Sequence, residues 1–513
     1  MFAHADTLFS PKPSAIEETC RAETERQQRE LILIPSESIC FPECAKAVAS
    51  DLGNIYAEGQ PDPRLSRAPK ALARDGALFN AWHRRLSDAR FYRGCIEADR
   101  VELLAKGYLS EVFARLPGSP PAEELHANVQ ALSGAAANLA VYEALLEPGA
   151  ALLGLDLSHG GHLSHGSPFN VSGKRYQAVS YGIDEKAKGV ARKLDYNRIR
   201  DLAKRHRPKL LVGGSSAYPW DWDWKTLRAI ADETGALLLA DVAHLAGMIF
   251  GGVLNNPLPH AHVVTFTTHK TLCGPRGACI VTACAELARK IDNAVFPGLQ
   301  GGPHVNSIAG IGRLFEIILQ RHEEYARFQR KIIENAQVLA GALAAEGFTL
   351  EYGGTDTHLM LVDLKPFKTQ GAGARMDGET ASRLLEHVGL ICNKNTLPGD
   401  AHAGKSSGVR FGTPWLTQRG VTHEQLRGIA KIAKDLLGGA HTFAVYVPTG
   451  DERCRARVPF ATLEDARRRV RGIADELPYP RREQKDAVLS TAVMPSSVHG
   501  FTALLVRGEK ARL

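Results

Sequence analysis

The chain has 513 residues, 44% hydrophobic and 23% charged, with 48 Gly and 27 Pro, which provides for about two to three structural units and excludes disorder as a description of the whole. The formal net charge is +7, and residues 451–513 hold 13 Lys and Arg against 9 Asp and Glu, so 13 − 9 puts +4 of it at the C-terminal end; such a bias suits an anionic small molecule better than a nucleic acid. Nine scattered cysteines without a CxxC pair argue against a disulfide framework and a structural zinc site, and no metal is expected.

The opening MFAHADTLFSPKPS lacks a basic segment followed by an apolar run, and no stretch approaches ~18 apolar residues. A cytoplasmic protein without membrane contact is expected. Residues 14–30 are charged and free of Gly and Pro, which predicts an N-terminal helix. Residues 62–89 are basic and predicted to be partly helical. From about 126 to 300, β-rich runs (ALLGLDL at 151–157, KLLVGGSSAY at 209–218, ALLLADVAH at 236–244, HVVTFTTHK at 262–270) alternate with helical stretches such as DWKTLRAIADETG. That order predicts βαβ units and a mostly parallel sheet, with chemistry collecting after the strands' carboxyl ends. From about 310 the chain turns helical, then gives strands near 347–351 and 358–364 and a helix around 423–437, a small α+β unit. Residues 441–513 follow Gly438-Gly439 and carry the run DARRRVR, which usually forms a solvated helix face.

Three segments carry candidate chemistry. In TFTTHKTLCGPRG (265–277), Lys270 follows a strand and precedes a Gly-Pro turn. Desolvation there would lower its pKa and free the amine to form an imine, though a lone lysine is also an ordinary surface residue. In DVAH (241–244), Asp241 ends an apolar strand and could keep a pyridinium nitrogen protonated, or could simply cap the next helix. In LSGAAAN (132–138), Ser133 and the 134–136 backbone could open a helix toward a phosphate, or Ser133 could be a plain N-cap.

Residues 30–58 and 91–437 resemble the serine hydroxymethyltransferase family. The matching runs are LSHGGHLSHGSPFNVSGK (157–174), RPKLLVGGSSAYPWDWD (207–223), ADVAHLAGMIFGGVLNNPLPHAHVVTFTTHKTLCGPRG (240–277), AVFPGLQGGPH (294–304) and SGVRFGTPW (407–415). The resemblance implies an α/β fold-type I enzyme with pyridoxal 5'-phosphate as cofactor and tetrahydrofolate as co-substrate. It implies an arm at 1–60, an inserted segment at 61–90, a large cofactor domain at 91–310, a small domain at 311–440 and an extension of unknown role at 441–513.

Lys270 then resembles the Schiff-base lysine, preceded by His269. Asp241 resembles the partner of the pyridine nitrogen, His244 and Ser216 the partners of the ring oxygen, and His162 the imidazole over the ring. Ser133 and Gly134 resemble part of the phosphate cup, and Gly301 and Gly302 the glycines that reach the neighbouring subunit's phosphate. Arg410, with Ser36 of PSES, resembles the binder of the substrate carboxylate. Glu58 in YAEG resembles the acid–base glutamate, Tyr56 and Tyr92 the active-site tyrosines, and Leu157, Gly161 and Asn395 folate contacts. Because the family takes Glu58 and the tyrosines from the partner chain, a homodimer with shared sites is implied, with a tetramer as a further option.

Four features depart from the family pattern: roughly 25 extra residues between YAEG and FYRGC, in a position where a long loop is more often functional; Phe91-Tyr92 in place of a tyrosine pair; Leu132, Ala135 and Ala136 in place of polar residues; and the tail from 441. The insertion is placed to cover the site entrance. A folate-independent aldolase or transaldolase acting on threonine or another β-hydroxy amino acid is the alternative activity, and a binding or regulatory protein the alternative class.

Overall fold

Capping side chains set several element ends in the computed structural model, which describes residues 14–66, 70–86, 89–184, 186–370, 373–400, 405–446 and 452–479. Ser14 accepts from the Glu17 N–H and opens α1 (Ala15–Arg29), the helix expected at 14–30; β1 (Leu31–Ile32) follows. The inserted segment forms α2 (Pro63–Ser66), α3 (Lys70–Arg74) and α4 (Gly76–His83), the last capped by Asp75, which accepts from the Leu78 N–H at 3.0 Å. The long helix α5 (Ile96–Ala114) then leads to β2 (His126–Asn128) and α6 (Gly134–Leu145).

The expected alternation follows: β3 (Ala151–Leu155), β4 (Gln177–Tyr181), α7 (Tyr196–His206), β5 (Leu210–Gly214), α8 (Trp224–Thr234), β6 (Leu237–Asp241), β7 (Val263–Thr267) and β8 (Ala278–Thr282). The seven-stranded sheet has the order β2-β8-β7-β6-β5-β3-β4. Neighbours from β7 to β4 are parallel, while β8 runs antiparallel to β7 and β2 antiparallel to β8. β5, β7 and β8 are buried at every position, as strands sandwiched between helical layers must be. β3, β5, β6 and β7 are each shorter than the predicted run, whose last residues, among them Leu157, Ser216, His244, His269 and Lys270, lie beyond the strand.

Beyond the sheet, α9 (Val305–Gln320) packs on α5, and α10 (His322–Ala345) leads into the second unit. There β9 (Thr349–Leu350), β10 (Leu359–Asp363), α11 (Gly378–His387), β11 (Leu390–Ile391), β12 (Asn393–Asn395) and β13 (Gly408–Gly412) precede α12 (His423–Gly438). Its antiparallel sheet has the order β12-β13-β10-β9, and β1 from the N-terminal arm pairs with β11.

The tail is packed into this second unit. β14 (His441–Tyr446) and β15 (Glu452–Arg457) form a hairpin, and α13 (Phe460–Glu476) lies on α12. Ala466, Val470 and Ala474 join the same core as Leu426, Ile429 and Ala433, while Arg467 and Arg468 pair locally with Glu464 and Asp465. Buried Arg419 donates to the carbonyls of Gln28, Glu30, Ala474, Leu477 and Pro478. These carbonyls lie at the carboxyl ends of α1 and α13, where the helix dipole favours a cation. Residues 480–513 of the tail lie outside the described residues.

Candidate active site

Asp241 closes β6, and Thr267 ends β7 just before Thr268, His269 and Lys270. β5 stops at Gly214, leaving Ser216 in the following loop, and Ser133 caps α6 after β2. All these points lie beyond the carboxyl ends of strands that run the same way, where an α/β sheet opens its crevice. Gly134 allows α6 to approach β7, since a Cβ there would stand 2.8 Å from Thr267 Cγ2.

Asp241 is buried and ringed by donors. One oxygen takes the Asn138 amide at 2.7 Å and His165 Nε2 at 2.8 Å; the other accepts the Ala243 N–H at 3.1 Å. Burial alone would raise its pKa, but the His165 bond and charge, the His162 charge and the Asn138 bond outweigh it and hold the carboxyl well below its usual range. Asn138 also donates to Ser164 Oγ at 2.9 Å and accepts from Thr265 at 2.7 Å. His162 caps the turn Leu163–His165 through Ser164. Its pKa falls to about 4 through burial and the nearby His165 and Lys270. His162, His165 and Asp241 each offer a ligand atom within 4.8 Å of the others, spacing that could hold a cation; the bonds above instead join these residues in a hydrogen-bond network.

Lys270 shares this crevice. Burial brings its ammonium down to about 8 against the attraction of Asp241, with Arg410 and Arg276 lowering it further. The loop that carries it is pinned by Ser38 of the PSES segment, which donates to the Lys270 carbonyl at 2.6 Å. His269 is driven to about 4 by burial and by Lys270. His244 stacks on His358, ring centres 5.3 Å apart, with His244 Nδ1 3.1 Å from His358 Nε2. Burial and neighbouring Lys270 and Arg410 keep His244 neutral.

Arg410 comes from β13 in the second unit. Its Nε donates to Asn393 at 3.3 Å and its NH1 to the Ser216 carbonyl. Among the described residues no carboxylate pairs with it, and burial pulls its pKa to about 10. Ser36 lies on the segment that crosses the end of β13, where the Gly412 N–H donates to the Leu33 carbonyl at 2.7 Å. Leu157 and Gly161 sit on the turn after β3, where the Gly161 N–H donates to the Asp156 carbonyl at 2.8 Å; Asn395 ends β12.

A second group gathers elsewhere in the chain. Tyr56 and Tyr92 stand 5.1 Å apart, and Cβ atoms added at Gly301 and Gly302 would lie 3.2 Å from Glu58 and Tyr56. Phe91 meets Phe296 at 5.7 Å. Gln300, beside Gly301, accepts from the Leu132 N–H at 3.1 Å, which links this group to the start of α6.

The donor set fits pyridoxal phosphate. An ionised buried carboxylate, a desolvated lysine, neutral imidazoles and a helix N-terminus with Ser133 match the pyridine nitrogen, aldehyde, ring oxygen and phosphate in turn. Sequence reading missed Asn138, His165, Ser38 and His358. The first two lie within the runs LSGAAAN and LSHGGHLSHG, and His165 is one turn after His162.

The sequence profile of the family described as serine hydroxymethyltransferase matches residues 69–433, beginning inside the inserted segment and ending before the tail hairpin. A curated serine hydroxymethyltransferase of Nostoc punctiforme is 40% identical over 482 residues, covering 94% of this chain and 97% of its own length. Another, from Synechococcus sp., is 42% identical over 442 residues, covering 85% of this chain and 91% of its own.

Proposed function

The chain belongs to the serine hydroxymethyltransferase family, and we infer on that premise that it interconverts serine plus tetrahydrofolate with glycine plus methylenetetrahydrofolate. Pyridoxal phosphate, when bound, supplies the electron sink for the pair released as the serine Cα–Cβ bond breaks.

Arg410 carries the reading. A partly buried guanidinium that meets no carboxylate among the described residues leaves donors for the anion a ligand brings. Its planar donors suit the serine carboxylate, with Ser36 as a second contact. Lys270 holds the cofactor, and its lowered pKa gives it a larger free-amine fraction near neutrality than an ordinary lysine. Asp241 would keep the ring nitrogen protonated, His244 and Ser216 would hold the ring oxygen, and His162 would pack against the ring. His269 shapes the lysine's surroundings. Ser133, Gly134 and the first N–H groups of α6 take the phosphate.

Glu58, flanked by Tyr56 and Tyr92, manages the proton at the serine hydroxyl and at the hydroxyl that leaves the folate carbinolamine as water. Leu157, Gly161 and Asn395 line the folate channel. Glu58, the two tyrosines, Gly301 and Gly302 serve the neighbouring site of a homodimer. Residues 91–310 carry the cofactor, and 311–440 with the described part of the tail carry the substrate arginine. No helix among the described residues is long and apolar enough to cross a membrane, and a cytoplasmic location is part of the proposal.

The test is glycine formation from serine with and without tetrahydrofolate. Strong stimulation by folate is expected, and Glu58→Gln is expected to lower the folate-dependent rate by roughly 10²–10⁴-fold while retaining cofactor. Folate indifference in the wild type would return the aldolase alternative.

A further inference from the structure

The inserted segment leaves the YAEG loop at Gln60 and returns at Arg90. Both ends of a surface lid would need to hinge. Here they are tied into the interior: Asp62 at one end is 6% exposed and Arg90 at the other is 2% exposed. Arg90 NH1 donates to the carbonyls of Ala57 at 2.6 Å and Gly59 at 3.2 Å, the residues on either side of Glu58. The Phe91 N–H donates to the Glu58 carbonyl itself at 3.1 Å. Three successive carbonyls around Glu58 are thus held by Arg90 and its neighbour. Gly59 turns the chain there at φ +105°, a conformation that favours glycine.

The opposite edge of the guanidinium is fixed by α5. Arg90 Nε meets Asp99 at 2.5 Å, and NH2 meets Glu102 at 2.7 Å. Glu102 also binds Lys106 at 2.6 Å, and Lys106 reaches back to Gln60 at 2.8 Å. The remaining oxygen of Asp99 is taken by His83 Nε2 at 2.9 Å, from the last turn of α4. Asp99, Glu102 and Lys106 lie on one face of α5, three and four residues apart. Arg90 and Lys106 balance the two carboxylates, so His83 is needed as a hydrogen-bond partner and not for its charge. Without it, a buried Asp99 oxygen loses that partner, and the orientation of Asp99 toward Arg90 is released.

We propose that Arg90 is the positioning residue for Glu58, and that the insertion serves to hold it, His83 fixing Asp99, which fixes Arg90, which fixes the Glu58 loop. This rests on the reading of Glu58 as the acid–base group. It replaces the expectation that segment 62–89 covers the site entrance. A bracing role also explains why the segment has its own small core of Leu65, Leu72, Ala73 and Phe79 against α5.

The experiment compares backbone hydrogen exchange and folate-dependent serine turnover in wild-type holoenzyme, His83→Ala, His83→Gln and Glu58→Gln. In His83→Ala, exchange at 56–60 is expected to rise roughly tenfold or more without a rise across the sheet, as for a local opening. Folate-dependent kcat should fall on the order of tenfold, in keeping with the cost of a small misplacement, with serine KM and cofactor retention unchanged. His83→Gln keeps a donor for Asp99 and should give intermediate values of both. Unchanged exchange at 56–60, or a rise spread over the whole chain, overturns the proposal. So does full activity in His83→Ala when Glu58→Gln is inactive. If Glu58→Gln is itself fully active, the reading of Glu58 fails and the positioning claim falls with it, while the exchange result still shows whether His83 braces the loop. Should His83→Ala not fold, His83→Gln alone decides: a rise confined to 56–60 is expected, and no rise contradicts the brace.

Discussion

Asp241 and Glu58 are two carboxylates assigned to one reaction, and their surroundings are opposite. Asp241 is 7% exposed, with three donors from α6, the turn after β3 and its own loop. Glu58 has a clamped backbone, but its neighbours Tyr56, Tyr92 and Phe91 are 63%, 43% and 75% exposed. The surroundings of Asp241 are supplied by this chain's own residues. The acid–base region is rigid in its backbone yet turns aromatic side chains outward, as a surface awaiting another does. An active site can therefore be half core and half interface, with a different physical guarantee for each half.

The largest effect belongs to Lys270, beside Asp241. Lys270→Ala should lose all cofactor that borohydride can fix to the protein, read by intact mass; fixation at the same peptide would contradict the assignment. In wild-type apoprotein, capture of pyridoxal phosphate should rise with pH and level off above about 8, because the neutral amine is the nucleophile. A profile still climbing toward the ordinary lysine value of 10.5 would contradict the desolvated setting.

Asp241→Ala removes the anion that His165 and Asn138 face, which should cost about 3–5 kcal/mol in chemical denaturation. The sign with pH follows from a folded pKa held below the unfolded value. The wild-type advantage is full above 3.8 and is lost as pH falls through the depressed folded value. An advantage that disappears on approaching neutrality from below would place the shift in the wrong direction.

Arg410→Ala should weaken serine binding by on the order of 2–5 kcal/mol, checked by spectral titration, while cofactor stays bound. Equal serine affinity would remove Arg410 from the substrate site.

The sheet was largely legible in the sequence, because apolar runs such as LLLAD and VVTFT end in polar residues. Asn138 was missed because an interior helix asparagine carries no local sign that it faces a core carboxylate. His358 was missed because it meets His244 only through the packing of a strand from another unit. The same limit applies to the insertion. Its helical character was readable, but the closure of Arg90 on Asp99 and Glu102 is a non-local contact that composition does not encode. In the tail, DARRRVR was read as a solvated face, which holds for Arg467 and Arg468. The buried stripe of Ala466, Val470 and Ala474 beneath it, at helical spacing, was the signal overlooked.

The most direct test of a site split between two chains is complementation. Lys270→Ala and Glu58→Gln proteins, each inactive with serine and tetrahydrofolate, are unfolded together, refolded with cofactor and assayed. If each site draws Lys270 from one chain and Glu58 from the other, half the dimers are mixed and each has one intact site, so about a quarter of wild-type activity should return. Activity no higher than that of the separate variants would contradict a shared site and place Glu58 in the same chain as the lysine it serves.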